Sequence, residues 1–348
     1  MTTLLIYAPA EGHTKNHHPE SHLRMRDVLP ALERYGLLAD LLVREPVPAS
    51  AEQLRTVHSS ELIEFIRRKS SLGNGLLDQG DTYVTAQSYE AARLAAGSCA
   101  LAVDLVMTGV AQNGFALVRP PGHHAEADHV SGFCLFNNVA VAARRAQLAH
   151  DIKRVAIVDF DIHHGNGTQN IFYEDSSVLF VSAHLYAPYF YPGTGSAGET
   201  GTGQGRGYTM NIPLPPLVGD LGYRQMFRKL IEPRLDDFQP ELLLVSAGFD
   251  AHWSDPLAMG GLSLRGLSEF AQRLVRYADA HCEGRVVFVL EGGYQTEVLS
   301  SGIANVFHAL LSQDVVHDPV GQMPQAEQDI SGLLTRLGGL HLSNQAKQ

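Results

Sequence analysis

The chain has 348 residues, 45% hydrophobic and 18% charged, enough for one large α/β domain whose core folds without disulfide or metal staples. Its 26 basic and 37 acidic residues leave a net charge of −11, the wrong sign for nonspecific nucleic-acid binding, and no apolar run approaches the roughly 18 residues of a membrane span. Neither nucleic acid nor membrane is expected as a partner, while a cationic substrate is mildly favoured.

The N-terminal MTTLLIYAPAEGH lacks a basic region and a small-residue cleavage site, so it reads as a first strand, LLIYA, and a cytoplasmic location is expected. The amphipathic RMRDVLPALERYG and the Ala-rich SYEAARLAAGSCALAVDLVMTG follow as helices. Then come a strand in FALVR near 117, a helix in FNNVAVAARRAQLAH, and strands in VAIVDF near 157 and VLFVSAH near 181. The C-terminal half continues with a helix in GYRQMFRKLIEPRLDDF, a strand in LLLVSAG near 245, a helix in SLRGLSEFAQRLVRYADAHC and a strand in VVFVLEGG near 289. Strands this uniformly apolar are buried on both faces, and their alternation with helices predicts one mostly parallel sheet in a single domain, 1–348. Seven glycines between Ala187 and Tyr208, with Tyr189, Phe190 and Tyr191, predict a long loop. From about residue 315 the polar, Pro-interrupted chain, ending in a short helical pattern, is expected to form a surface appendage. Cys99, Cys134 and Cys282 are too few and too far apart for a disulfide framework or a Cys-based zinc site. Oligomeric state is left open.

Chemistry gathers at four strand ends. In VDFDIHHGNGT, Asp159, Asp161 and His163 alternate and so share one side of an extended chain, which suits a divalent ion; a strand-end salt bridge is the plain alternative. In SAGFDAHWSDP, Asp250 offers a third ligand, with His252 and Asp255 nearby, or else serves as an N-cap. Two carboxylates and one imidazole leave an open position, as catalytic metal sites do. In RPPGHHA, His123 and His124 suit proton transfer. Consecutive side chains on extended backbone diverge, so the two are not expected to share one ion, and Asp159 and Asn166 are candidate partners for their far nitrogens. In LEGGY, Tyr294 offers a phenol donor for a developing oxyanion, or is an ordinary loop residue.

Together RPPGHHA, VDFDIHHGNGTQ, SAHLYAPYFYPGTG, SAGFDAHWSDP and LEGGY resemble the zinc-dependent histone deacetylase family. The likeness is greatest to its class II and bacterial deacetylase-like amidohydrolase branches, which have acetylpolyamine amidohydrolases among their relatives. It runs from HHPE at residue 17 to about 310. It implies the arginase/deacetylase fold, a parallel sheet of about eight strands with helices on both faces. It implies one Zn²⁺ on Asp161, His163 and Asp250, His124 as general base, and His123 as electrostatic partner and proton donor. Asp159 would stand behind His123, Asn166 behind His124 (where class I members carry Asp), and Tyr294 would face the transition state. Gly132, Phe133 and Tyr191 would wall the acyl tunnel, with Leu257 near its mouth, Asp81 on its rim and Arg24 at an acetate exit. Structural K⁺ is implied around Asp159, Asp161, His163, Ser182 and Ala183, and again around Phe172, Asp175, Val178 and Tyr208. The expected reaction is deacetylation of ε-acetyl-lysine in proteins or peptides. An acetylpolyamine is the alternative substrate, disfavoured slightly because no insertion near the site is evident. An arginase-like manganese ureohydrolase and a noncatalytic acyl-lysine binding module are the readings from other classes.

Overall fold

The structure, a computed structural model, describes residues 2–342. Its strands are β1 (Thr3–Ala8), β2 (Leu41–Arg44), β3 (Gly75–Leu76), β4 (Tyr83–Val84), β5 (Asn113–Val118), β6 (Val155–Asp159), β7 (Val178–Leu185), β8 (Thr209–Leu214), β9 (Leu242–Ala247) and β10 (Val286–Leu290). Eight of them form one sheet in the order β2-β1-β5-β10-β9-β6-β7-β8, and β3 pairs with β4 apart from it. Every pairing in the large sheet is parallel.

Both faces of that sheet are buried, which is why its strands read as unbroken apolar runs. On β6, Ala156 and Val158 enter one core cluster while Val155 and Ile157 enter the other; on β9, Leu243 and Val245 oppose Leu242 and Leu244 in the same way. The helices are α1 (Val28–Arg34), α2 (Ala51–Arg55), α3 (Ser60–Ser71), α4 (Ser88–Met107), α5 (Asn138–His150), α6 (Asn166–Phe172), α7 (Asp220–Met226), α8 (Glu232–Phe238), α9 (Leu264–His281), α10 (Thr296–Leu310) and α11 (Ser331–His341). Helices α4 and α5 cover one face through Ala96, Val103, Val139 and Ala142, and α9 and α10 cover the other through Phe270, Leu274, Ile303 and Phe307. The predicted helix over 222–238 is interrupted by a π turn at Phe227–Ile231. Pro233, just beyond it, has no N–H for the ordinary helical ladder, so the hydrogen-bond register loosens there.

Strands β2 and β8 carry no apolar run of the predicted kind because they are the sheet's edges. Val43 on β2 is half exposed, and β8 contains Pro213, which an edge strand tolerates. In the C-terminal segment, residues 315–329 are exposed or half-buried throughout, while three residues beyond them are not. Ile330, Leu334 and Leu337 are buried in the larger core cluster, and α11 rests on α7 and the π turn. The glycine-rich stretch is a loop, held by Glu199, whose carboxylate accepts from Gly195 N, Ser196 N and Gln169 Nε2. Among the described residues no helix is long and apolar enough to cross a membrane.

Candidate active site

The four motif-bearing strands are neighbours, in the order β5-β10-β9-β6. The chain passes from β5 to β6, goes outward through β7 and β8, and returns through β9 and β10 to fill the gap it left. Ligand sites in open parallel sheets form at such reversals, beyond the carboxyl ends of the strands.

Asp161 and His163 leave β6 and Asp250 leaves β9, and their ligand atoms all lie within 4.8 Å of one another. His163 Nδ1 is 3.0 Å from Asp161 Oδ1 and 3.2 Å from Asp250 Oδ2. Backbone N–H groups aim the carboxylates: Ile162 donates to Asp250 Oδ1 at 3.0 Å, and Gly292 donates to Asp161 Oδ2 at 2.8 Å. Asp250 Oδ2 is buried and meets no polar group but the His163 ring. At Gly292 a Cβ would come within 2.2 Å of that oxygen and 2.6 Å of Asp161 Oδ2, so only glycine lets the β10 end close this cradle. Two buried carboxylates that share a single imidazole, with no other cationic group among these ligands, fit a divalent cation.

Asp159 belongs to a second layer. Its Oδ2 lies 3.0 Å from His123 Nδ1, and Asn166 Oδ1 lies 2.7 Å from His124 Nδ1. The two histidine rings do not diverge: their centroids are 4.0 Å apart. His123 and His124 are the central residues of a turn closed by Ala125 N–H donating to Gly122 O, not extended backbone as the sequence reading supposed. Their environments separate them electrostatically. Burial opposes the charge on His123, but Asp159, Asp161 and Glu291 outweigh it and raise the ring to about 10. Burial, with His123 and His163 adding, pulls His124 well below the ordinary histidine value. One ring is thus kept cationic and its neighbour neutral.

His123, His124, Asp161 and His163 face a cavity of about 250 Å³. Gly132, Phe133 and Tyr191 wall it, with Leu257, Asp81 and Tyr294, and Pro121 and Gly292 complete the lining. Gly132 has φ +54°, and a Cβ there would strike the His124 ring, so the wall presses close on that histidine. Tyr294 is placed by its N–H, which donates to Asp255 Oδ2 at 2.8 Å; Asp255 Oδ1 accepts from Leu257 N at 2.9 Å. One carboxylate therefore sets both the phenol and the mouth, and burial pushes the phenol well above its ordinary pKa. Arg24 lies behind the cavity, donating to Glu291 O at 2.7 Å with its guanidinium 5.6 Å from the Tyr294 ring centre. His252 turns away toward Ser254.

Of the residues associated with K⁺, Asp159 stands opposite Ser182 in the β6–β7 register and Ala183 follows on β7. Phe172 and Asp175 are joined by a 3.0 Å backbone bond, Phe180 N–H donates to Tyr208 O just before β8, and Val178 opens β7.

Several site residues escaped the sequence reading. Glu291, in LEGGY, accepts from Gly122 N at 2.7 Å and His123 N at 3.1 Å, holding the histidine turn; burial raises it to about 7. Phe190 stacks on His163 with ring centres 5.0 Å apart. Glu20 and Arg119 form a buried ion pair behind the site, and Glu126 bonds Asn166. Each sits inside a quoted motif or beside a site residue, but a single acid carries no spacing signal.

The histone deacetylase domain model matches residues 18–310. The chain is 42% identical over 326 residues to histone deacetylase 10, chloroplastic, of Oryza sativa subsp. japonica, covering 89% of this chain and 73% of that protein. It is 38% identical over 320 residues to the histone deacetylase-like amidohydrolase of Pseudomonas aeruginosa, covering 92% and 82%. The crystal structure of the HDA15 HD domain superimposes with a TM-score of 0.89 at 36% identity, covering 99% of this chain and 97% of that one. With the family's domain spanning most of its length and the sheet reproduced, the chain belongs to the histone deacetylase family and is a hydrolytic deacetylase of that fold.

Proposed function

We propose that the protein hydrolyses the amide of short-chain ε-acyl-lysine, acetyl-lysine foremost, with one Zn²⁺ held by Asp161, His163 and Asp250. The observation that carries this is the cluster of those three ligands, two of which, Asp161 and His163, line a cavity that His124 and Tyr294 also line. When bound there, zinc supplies Lewis acidity toward the acyl carbonyl and makes water acidic enough to be used near neutral pH.

The chain's own groups do the rest. Neutral His124, its Nδ1 engaged by Asn166, accepts the proton of the attacking water at Nε2. Cationic His123, held by Asp159, steadies negative charge and returns a proton to the leaving amine. The Tyr294 phenol donates to the developing oxyanion. Phe133 and Tyr191 exclude water around the alkyl stem, Asp81 engages substrate at the rim, and Arg24 lies on the route by which acetate leaves. K⁺ around Asp159, Asp161, His163, Ser182 and Ala183, and around Phe172, Asp175, Val178 and Tyr208, is part of the same reading; the adjacent β6 and β7 backbones support the first site.

An N-acetylated polyamine presents the same amide on a slim stem, so kcat/KM is compared on an acetyl-lysine peptide and on acetylputrescine. A higher value on the peptide is expected, and a higher value on acetylputrescine reassigns the substrate. Metal analysis should find one zinc per chain; about two manganese would favour a ureohydrolase, which needs paired ions. No turnover of any acyl-lysine peptide by the zinc-loaded protein would favour a binding module.

A further inference from the structure

We propose that Glu126 is a positioning residue that fixes which nitrogen of His124 carries the proton, acting through Asn166. This rests on the base role assigned to His124 above. Asn166 Oδ1 lies 2.7 Å from His124 Nδ1, and Asn166 Nδ2 donates to Glu126 Oε1 at 3.0 Å. A side-chain amide can turn either its oxygen or its nitrogen toward an imidazole, and the two orientations demand opposite tautomers. With the oxygen inward, Nδ1 carries the proton and Nε2 keeps a lone pair for the cavity. With the nitrogen inward, Nδ1 must accept, Nε2 holds the proton and the neutral ring has no lone pair to offer there.

His124 by itself does not choose between them, since either arrangement makes one good hydrogen bond. Glu126 does. A carboxylate accepts and cannot donate, so it admits only the Nδ2 end of Asn166 and leaves Oδ1 for His124. An aspartate at 166 would need no such partner, because both its oxygens accept. The requirement for Glu126 is created by asparagine.

The Glu126 backbone is itself fixed. Its N–H donates to His129 O at 2.9 Å, and its carbonyl lies 2.8 Å from His58 Nδ1. His58 Nε2 accepts Asn137 N–H at 2.9 Å, which leaves Nδ1 as the donor to Glu126. Asn137 in turn caps α5 through Ala140 N. The carboxylate on Asn166 thus hangs from a pinned loop.

The test uses the full zinc-loaded chain, with kcat and KM on an acetyl-lysine peptide and the His124 tautomer read from its ¹⁵N–¹H correlations. Glu126→Lys donates instead of accepting, so it should turn the amide, move the His124 proton to Nε2 and lower kcat about a hundredfold, with KM within about twofold. Glu126→Ala frees the amide and should give mixed tautomers with about a tenfold loss; Glu126→Gln can still accept and should recover most of that loss. In an Asn166→Asp background the Lys and Ala substitutions should no longer depress kcat. Equal losses in that background, or an unchanged tautomer in Glu126→Lys, would overturn the proposal. Should Glu126→Lys unfold, as judged by circular dichroism, Glu126→Ala decides by whether its tautomers mix. The tautomer readout needs no turnover, so it separates failure of this inference from failure of the acyl-lysine reading.

Discussion

Around Glu20, both carboxylate oxygens are bonded to Arg119, with Arg24 on one and Tyr83 on the other, and Arg119 also donates to the carbonyls of Pro9 and His13. Around Asp250, in an equally buried place, one carboxylate oxygen meets only the His163 ring, and Asp161 stands near enough to raise the group's pKa further after burial has done so. Both clusters lie at the carboxyl edge of one sheet, and Arg24 spans the ground between them through Glu20 and the Glu291 carbonyl. The complete cluster behaves as structure: two guanidiniums and a phenol saturate its carboxylate, and it tolerates no missing member. The incomplete one is assembled at a cost that a bound cation removes.

Four measurements would break or sharpen that contrast. Asp250→Asn keeps the shape and the Ile162 bond and removes an unfavourable buried charge, so the metal-free protein should be no less stable, while zinc content falls and turnover drops by more than about a thousandfold, over 4 kcal/mol. Elemental analysis and kcat check both halves. Arg119→Met should do the reverse. It removes the guanidinium bound to both oxygens of a buried carboxylate and leaves Arg24 on only one of them, so the unfolding free energy in urea should fall by about 3–5 kcal/mol whether or not metal is present.

The Glu20 cluster also predicts a response to acid. Burial alone would raise the Glu20 carboxyl, but Arg119 outweighs it and holds the group at about 2, against 4.5 when unfolded. Its folded value is depressed, so its stabilisation is complete above pH 4.5 and drains away as pH falls toward 2, about 3 kcal/mol in all. Urea unfolding at pH 6 and pH 3 should show this slope in the wild type and lose most of it in Arg119→Met. Smallest in energy, Tyr294→Phe or His124→Ala should lower kcat by at least about a hundredfold, roughly 2.7 kcal/mol, with melting temperature unchanged. Near-wild-type turnover in either would remove that residue from the chemistry.

Much of this was legible in the chain itself. The central strands announced themselves because burial on both faces leaves no polar alternation, and the Asp161–His163 pair because a period of two puts alternate residues on one side. The β2 and β8 edges did not, since partial exposure and Pro213 erase the apolar run. Nor did the burial of the C-terminal helix, whose three buried residues are too sparse to stand out after a polar, Pro-broken segment. The histidine pair was read as diverging because local sequence does not reveal the turn that Glu291 holds from another strand.

Local pattern and the order of motifs determined the sheet, its parallel sense and the identity of the residues able to hold a metal, because periodicity and side-chain chemistry are carried by neighbours in sequence. Tertiary structure decided which of those residues meet. Asp250 reaches His163 only because β9 returns to lie beside β6, and Glu20 finds Arg119 across 99 residues of chain. Contacts between distant segments depend on strand order and loop geometry, and no short stretch of sequence encodes either.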